Sequence, residues 1–467
     1  MVGGLAAALL PAVKKSGVIW FGSSGKLRNV SAGATPLFEI ESYGRGTIAR
    51  VDLPEQHYEG FYSGYANSAL WPILHSRADI ARSDADHYTA YREVNTYMAR
   101  TLATFGASNA TFWVHDYHFL PLALELRKLG IRRKIGFFLH TPWPERRVIT
   151  QLSEYRELAQ AMLAYDLIGF QSDRDRDNFA DLLRHELQVP GSGLTFNGRH
   201  GACRLGTFPI GIDTEDFAAH AETASNDPEV RRLCGSLTES RLVIGVDRVD
   251  YSKGLGLRIR AFDRLLTRYP GLKRRLSMLQ IAVPSRSGIE TYRELQCDLA
   301  RLVGEVNGRH GEVDWTPIRY LNKGFCQSTL AGFYRAAVVG LITPLRDGMN
   351  LVAKEYVAAQ NPEDPGVLVL SKFAGAANEL DAALLVDPQD IDGVGRRIAA
   401  ALVMPLEERR ARWQRMMQTL LRHSIHAWFT DFMRTLKAPE PENVFPLVPA
   451  KVPLRATSNR TWAAHPH

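Results

Sequence analysis

Twice along the chain, short continuous apolar runs alternate with stretches of helix formers. In the first half, TFWVH (111–115), KIGFFLH (134–140) and DLIGFQ (166–171) read as buried strands. Residues 91–105, 120–130 and 157–165 read as the helices between them, and FPIGID (208–213) closes that half. The second half repeats the pattern with LVIGVDR (242–248), LSMLQIAV (276–283), TPIRYL (316–321), AVVGLI (337–342), VLVLS (367–371) and ALLV (383–386). Helices such as 257–269 lie between these runs, and a long helical stretch, 406–437, ends the half. Strand–helix–strand alternation with apolar, non-alternating strands implies parallel sheets covered by helices on both faces. A small, polar segment with one proline, residues 219–232, reads as the junction. The expectation is α/β: two doubly wound halves with a cleft between them, which suits a reaction joining two different sugars. A two-domain binding protein that only closes on a ligand has the same architecture.

The 467 residues are enough for two to three domains, and 45% hydrophobic with 23% charged residues is ordinary for a water-soluble globular chain. No apolar run approaches the roughly 18 residues a membrane span needs. The first residues, MVGGLAAALLPAVKKSG, place their lysines after the apolar run, so they read as a helix rather than a secretory signal. The four cysteines, Cys203, Cys234, Cys297 and Cys326, have no metal-ligand spacing, which fits a reduced, cytoplasmic setting. A net charge of +7 without basic blocks interleaved with aromatics points to an anionic small substrate rather than to nucleic acid.

TPLRDGMNLVAKEYVAAQ (343–360) is the most informative stretch for chemistry. A buried strand precedes it and a helix, from Leu351, follows. In an open α/β sheet ligands collect at the carboxyl ends of strands. The amides of Asn350, Leu351 and Val352 can face a phosphate at the start of that helix, and Asp347 and Glu355 supply acceptors for hydroxyls. VDRVDYSKGL (246–255) likewise follows a strand, and Arg248 and Lys253 can neutralise a diphosphate, each charge-assisted hydrogen bond contributing roughly 1.5–3 kcal/mol. The plainer alternative is a surface ion pair between Arg248 and Asp250.

Other motifs leave alternatives open. HDYHFLP (115–121) offers a metal site, an acid/base pair or sugar binding through His115, Asp116 and His118; two histidines and an acid are thin for zinc. His140 ends a strand and is followed by Thr141-Pro142-Trp143-Pro144. In FYSGYANSALWP (61–72), Tyr62 and Trp71 form either a sugar-stacking wall or core packing. Arg286, in VPSRSG (283–288), can hold a phosphate bidentately. Ser83-Asp84-Ala85-Asp86 reads as a helix cap, and DRDRD (173–177) as a helix start with a solvated face.

Taken together, and in this order and spacing, GGLA, FYSGYANSALWP, HDYHFLP, GFFLHTPWP, VDRVDYSKGL and TPLRDGMNLVAKEYVAAQ resemble the trehalose-6-phosphate synthases, retaining glycosyltransferases of the GT-B fold. The resemblance runs from Gly3 to about Leu436. It implies two Rossmann-like domains facing a central cleft: an acceptor-binding domain over 1–222, a nucleotide-sugar domain over 223–425, and a terminal helix, 426–437, crossing back to the first. Residues 438–467 form a proline-rich tail expected to be disordered. The implied reaction moves glucose from UDP-glucose to glucose 6-phosphate without a metal or other cofactor. The implied donor contacts are Gly3, Gly4, Arg248, Lys253, Phe325 (at uracil), Asn350, Leu351, Val352, Ala353, Lys354 and Glu355 (at ribose). His140 and Asp347 hold the donor glucose. Tyr62, Trp71, Asp116 and Arg286 hold the acceptor, and Trp71 and Thr141 bear on anomer selectivity. Arg248, Lys253, His140 and Asp347 are the implied catalytic set.

Two departures stand out. The family begins with a strand and a Ser-Asn-Arg turn that grips the acceptor phosphate, and this sequence starts after them. A missing central strand is expected to leave a gap in the first sheet. WFGSSG (20–25) has Ser23 where the family commonly has tryptophan, which alters a wall on the acceptor side. Two rivals follow: the same donor site with glycerol phosphate or a cyclitol phosphate as acceptor, and an impaired homologue that binds nucleotide sugar only. The sequence is silent on whether the protein forms a homo-oligomer.

Overall fold

The computed structural model describes residues 9–10, 13–29, 38–105, 110–237 and 240–439. The pair Gly3 and Gly4 and nearly all of the proline-rich tail lie outside these residues. The described residues up to Lys437 form one compact unit. Its strands are β1 (Ile19–Arg28), β2 (Phe38–Tyr43), β3 (Gly46–Pro54), β4 (Phe112–His115), β5 (Ile135–Phe138), β6 (Leu167–Phe170), β7 (Gly191–Ser192), β8 (Thr195–Gly198), β9 (Gly201–Thr207), β10 (Arg241–Arg248), β11 (Leu276–Val283), β12 (Ile318–Leu321), β13 (Val339–Ile342), β14 (Val367–Ser371) and β15 (Leu384–Val386).

The second half builds one wholly parallel six-stranded sheet in the order β12-β11-β10-β13-β14-β15. Numbered from its first strand this is 3-2-1-4-5-6, the doubly wound order. Every residue of β13 and β14 is buried, because helices cover both faces. The strand order reverses between β10 and β13, so the loops leaving those two strands diverge to opposite faces and open a crevice.

The first half builds a second six-stranded sheet, β4-β5-β6-β9-β8-β7. Strands β4, β5, β6 and β9 are parallel, and β7–β9 add an antiparallel meander. Strands β1–β3 form a separate three-stranded sheet of order β1-β3-β2. The strand expectation omitted β1–β3 and β7–β9, in which polar residues or glycines break up any continuous apolar run. No residue of β1 is buried, and Ile19 and Leu27 are 52% and 43% exposed. Among the described residues β1 and β4 each end their sheet, so the first half carries two separate sheets rather than one continuous one.

The 406–437 stretch is two helices, not one: Leu406–Arg422 and Ile425–Lys437. The break at His423 occurs where Gly211 comes so close that a Cβ there would lie 1.9 Å from the His423 carbonyl. The Ile425 amide then bonds to the Ile212 carbonyl at 3.0 Å. The second helix lays Phe432 onto β5 and β6 at Gly136 and Gly169, where any side chain would collide with its ring. Trp428 donates its indole N–H to the Phe208 carbonyl at 3.0 Å. One hydrophobic cluster accordingly joins Phe138 and Leu167 of the first sheet to Leu242 and Ile244 of the second.

Two capping expectations have structural outcomes. Asp84 caps the helix Ala85–Ala103, accepting from the amides of Asp86 and His87. That cap starts the helix six residues before the expected 91. Ser172 caps Asp173–Asp181. The solvated face expected for DRDRD is only partly so: Asp175 is buried and accepts from the Trp143 amide at 3.0 Å. That amide lies in a Pro-Trp-Pro turn, which has no ladder partner of its own, so a carboxylate satisfies it.

Candidate active site

The turn after β10 and the turn after β13 meet at the crevice. Lys253 donates to Asp347 at 2.5 Å, and both side chains are 13% exposed. Asp347 also accepts from the Asn350 side chain at 3.0 Å. Asn350 holds φ at 83°, a left-handed conformation that asparagine tolerates. It caps the helix Leu351–Ala359 by accepting from the Ala353 amide at 3.1 Å. The amides of Leu351 and Val352, in the first turn, have no carbonyl within the helix to bond to. Further along the helix, burial pushes the Glu355 carboxyl up to about 7, against a hydrogen bond from the Tyr334 hydroxyl at 3.3 Å. Phe325 follows β12 on the same edge, half-buried, with the Lys323 ammonium 4.8 Å from its ring centre. These groups form a strip of cation, helix-start amides, half-buried acid and aromatic ring.

Across the crevice stand the ends of β4 and β5. Asp116, at φ 70°, accepts from the His140 amide at 3.3 Å. Burial pushes its carboxyl up to about 6, although amides of Tyr117 and His140 and the charges of Arg248 and Arg286 oppose the shift. His140 and His115 share a hydrogen bond of 3.1 Å, and burial holds His140 well below the usual imidazole range, so the ring is neutral. Gly348 lies directly on the His140 backbone: a Cβ there would sit 2.0 Å from its carbonyl oxygen. Next to it, the Thr141 hydroxyl is buried and has no hydrogen-bond partner among the described residues.

Trp71 lies between two guanidinium groups, with Arg286 at 3.9 Å and Arg248 at 5.5 Å from its ring. Tyr62 stacks on His118, ring centres 5.8 Å apart and planes at 8°. Arg286 donates to Asp250 at 2.8 Å and to the Tyr117 hydroxyl at 3.1 Å. Tyr117 donates onward to Asn67 at 2.7 Å, and Asn67 to the Tyr62 carbonyl at 2.8 Å. A single polar chain thus runs from the second sheet's loop to the aromatic wall.

The sequence profile of glycosyltransferase family 20 matches residues 2–438. The chain belongs to glycosyltransferase family 20. Within it, a trehalose-6-phosphate synthase of Sinorhizobium fredii is 46% identical over 440 residues, 93% of this chain and 94% of that protein. The crystal structure of an α,α-trehalose-phosphate synthase (UDP-forming) from Burkholderia xenovorans, in complex with glucose 6-phosphate, superposes with a TM-score of 0.91 at 41% identity. It covers 94% of this chain and 96% of its own. A structure from E. coli bound with UDP-2-fluoro glucose gives 0.88 at 39% identity, covering 94% and 97%. The fold is therefore GT-B.

Within this family 20 fold most of the sequence-derived residues come together around one crevice, with two qualifications. The Lys354 side chain points away into the interior, donating to the Ile210 carbonyl at 2.7 Å and to Glu379 at 2.6 Å. The Arg248–Asp250 ion pair weighed from the sequence is replaced by Arg286–Asp250, because Asp250 is fully buried under Arg286. Sequence reading also missed Arg258, Arg346, Asn67 and Tyr117. Arg258 is buried against Asp247 at 2.5 Å and bonds Thr343, tying β10 to the loop after β13. Arg346 crosses to the first half, donating to Ser76 at 2.8 Å and to the Trp143 carbonyl at 3.1 Å. Asn67 and Tyr117 lie inside motifs that were singled out, and nothing in their immediate neighbours marks them apart from the rest of those motifs. Ser23, on β1, pairs with Val51 of β3.

Proposed function

We infer that this protein is an α,α-trehalose-6-phosphate synthase, transferring glucose from UDP-glucose to glucose 6-phosphate with retention of configuration and releasing UDP. The observation that carries the reading is the 2.5 Å contact of Lys253 with Asp347 at the switch point of the second sheet, with Gly348 against the His140 carbonyl of the first. An ammonium, a carboxylate and the opposite lobe meet at one crevice there, which supports reading Lys253 as the diphosphate cation and Asp347 as the acceptor of a sugar hydroxyl.

In this reading Arg248, Lys253 and the amides of Leu351 and Val352 hold the diphosphate. Glu355 holds the ribose and Phe325 the base. Neutral His140 and Asp347 hold the donor glucose, and Thr141 lies beside the anomeric carbon. Tyr62, Trp71, Asp116 and Arg286 hold glucose 6-phosphate. No carboxylate among these motifs is an obvious nucleophile on the reacting face. The acceptor hydroxyl enters on the side from which UDP leaves, and the departing phosphate oxygen takes its proton. The protein supplies orientation and stabilises the charge that grows on the diphosphate. The domain limits near 222 and 425 belong to the same reading, with 1–222 serving the acceptor and 223–425 the donor. Incubation with UDP-glucose and glucose 6-phosphate should give UDP and an α,α-linked disaccharide phosphate in equal amounts. UDP release with glycerol phosphate or a cyclitol phosphate, and none with glucose 6-phosphate, would sink the assignment.

A further inference from the structure

Asp250 is a carboxylate from the first turn after β10 that none of the assignments above uses. It is fully buried, yet its charge is retained. Burial alone would raise its carboxyl; Arg286, then Arg248, His75 and Lys253, overcome that and hold it at about 2. Its two oxygens face different tasks. Oδ1 accepts from the Ser252 amide at 2.9 Å, capping the short turn Tyr251–Lys253. The Asp250 carbonyl accepts from the Lys253 amide at 3.1 Å, so the same residue closes the turn twice. Oδ2 accepts from Arg286 Nη1 at 2.8 Å, and Tyr292 donates to it at 3.4 Å. Nη1 also donates to the Tyr292 hydroxyl oxygen at 2.8 Å.

The choice of nitrogen matters. A guanidinium is a rigid planar fork, and it chelates a phosphate through two parallel N–H groups. Nη1 lies on the side of the fork away from the Nε–H, and both its hydrogens are taken by Asp250 and Tyr292. The other edge carries the Nε–H and Nη2. Nη2 gives one hydrogen to Tyr117 and keeps the other, and the buried Nε–H has no partner among the described residues. The backbone does not place this side chain by default, since Arg286 holds φ at 49°. Trp71 lies against the guanidinium at 3.9 Å.

We propose that Asp250 is a positioning residue for both substrates: one oxygen fixes the turn that carries Lys253 to the donor diphosphate, and the other turns the Nε/Nη2 edge of Arg286 toward the acceptor phosphate. The proposal rests on the reading of Arg286 as the acceptor-phosphate ligand. It makes the two grips share one buried carboxylate, so neither can shift without the other.

The two tasks separate by substitution. Asp250→Asn keeps an oxygen for the Ser252 amide but turns an NH2 group toward Nη1. It should raise KM for glucose 6-phosphate at least tenfold while leaving KM for UDP-glucose within threefold. The preference for glucose 6-phosphate over unphosphorylated glucose should fall by the same factor, which a general loss of structure would not produce. Asp250→Ala removes both oxygens and should also weaken UDP binding at least fivefold in calorimetry. Arg286→Ala is the control for the underlying reading. If it leaves the phosphate preference unchanged, that reading of Arg286 fails and the proposal with it. If it erases the preference and folded Asp250→Asn keeps it, the reading stands and the proposal is overturned. UDP affinity unchanged in Asp250→Ala overturns the donor half. Should the Asp250 variants not fold, Tyr292→Phe decides: a threefold or larger loss of phosphate preference at unchanged UDP affinity is expected, and an unchanged preference overturns the proposal.

Discussion

Two cation–carboxylate pairs lie at the end of β10, a few residues apart, and they differ in what surrounds them. Arg258 and Asp247 are sealed, with side chains 0% and 2% exposed, and Arg258 also reaches Gln280, Thr343 and the Lys253 carbonyl. Lys253 and Asp347 are both 13% exposed and border the crevice. The first pair has its polar capacity filled by protein. The second joins one carboxylate to an ammonium with three donors, and an ammonium can turn to an incoming anion. The same chemistry thus serves as framework in one place and as a substrate grip in the other, and what separates them is access to the crevice.

The largest effect should come from breaking the sealed pair. Arg258→Met leaves Asp247 buried without the cation that most opposes its burial, at a cost of about 3–5 kcal/mol. Against a total stability of about 5–15 kcal/mol this threatens folding itself. Chemical denaturation would measure it. A variant as stable as the parent would mean that water reaches Asp247 and that the pair is not framework.

Glu355 sharpens the contrast, because it is a half-buried carboxyl with no cation on it among the described residues. Burial raises its folded pKa to about 7, above the usual glutamate value of 4.5. The folded protein therefore keeps a proton that the unfolded chain gives up. Glu355 favours folding fully below pH 4.5, and that contribution is lost as pH rises to about 7, amounting to about 3 kcal/mol. Glu355→Gln should remove this slope from a pH series of unfolding curves. If ribose hydroxyls hydrogen-bond the ionised form, UDP binding near pH 6.5 should release a proton in the parent and none in the variant. Calorimetry in two buffers of different ionisation enthalpy reads this directly.

Lys253→Ala tests the open pair. Turnover should fall about a hundredfold, the scale of removing one electrostatic contact to a developing charge. The midpoint of denaturation should barely move, since Asp347 keeps Asn350 and partial access to water. Loss of stability comparable to that of Arg258→Met would erase the distinction between the pairs.

The contrast also explains what could be read from the sequence. The strands β5, β6, β10, β11, β13 and β14 are buried on both faces, so they write themselves as apolar runs, and the turns after β10 and β13 carry the visible charges Lys253 and Asp347, with Glu355 in the helix that follows. Those turns sit at strand ends for a reason general to doubly wound sheets. Strands β1–β3 and β7–β9 escaped because polar residues or glycines break their sequences into pieces too short to show an apolar run, even where, as in β3 and β9, the strand lies inside its sheet. Arg258 escaped because, in LGLRIRAFDRLLTR, it looks like one more exposed arginine on an amphipathic helix; only the tertiary arrangement puts it under β10. Lys354 is the converse: it came with the Leu351–Glu355 segment that the resemblance implies, and its side chain points to Glu379.

The smallest effect should come from Tyr334→Phe, which leaves Glu355 in place and removes only the hydroxyl donating to it at 3.3 Å. A hydrogen bond to the ionised form lowers a carboxyl's pKa, so its loss must raise it. The bond is long, and its worth is about 1 kcal/mol or less, which is under one pKa unit. The window in which the folded protein loses stability should therefore extend slightly upward in pH, with its lower limit, set by the unfolded chain, unchanged. UDP affinity at pH 7 should drop by less than tenfold, because the ligand must drive off a proton held a little more firmly, and the deficit should vanish by pH 8.5. A deficit that persisted at pH 8.5 would mean that Tyr334 shapes the site sterically, and that the burial of Glu355, rather than its one hydrogen bond, governs its charge.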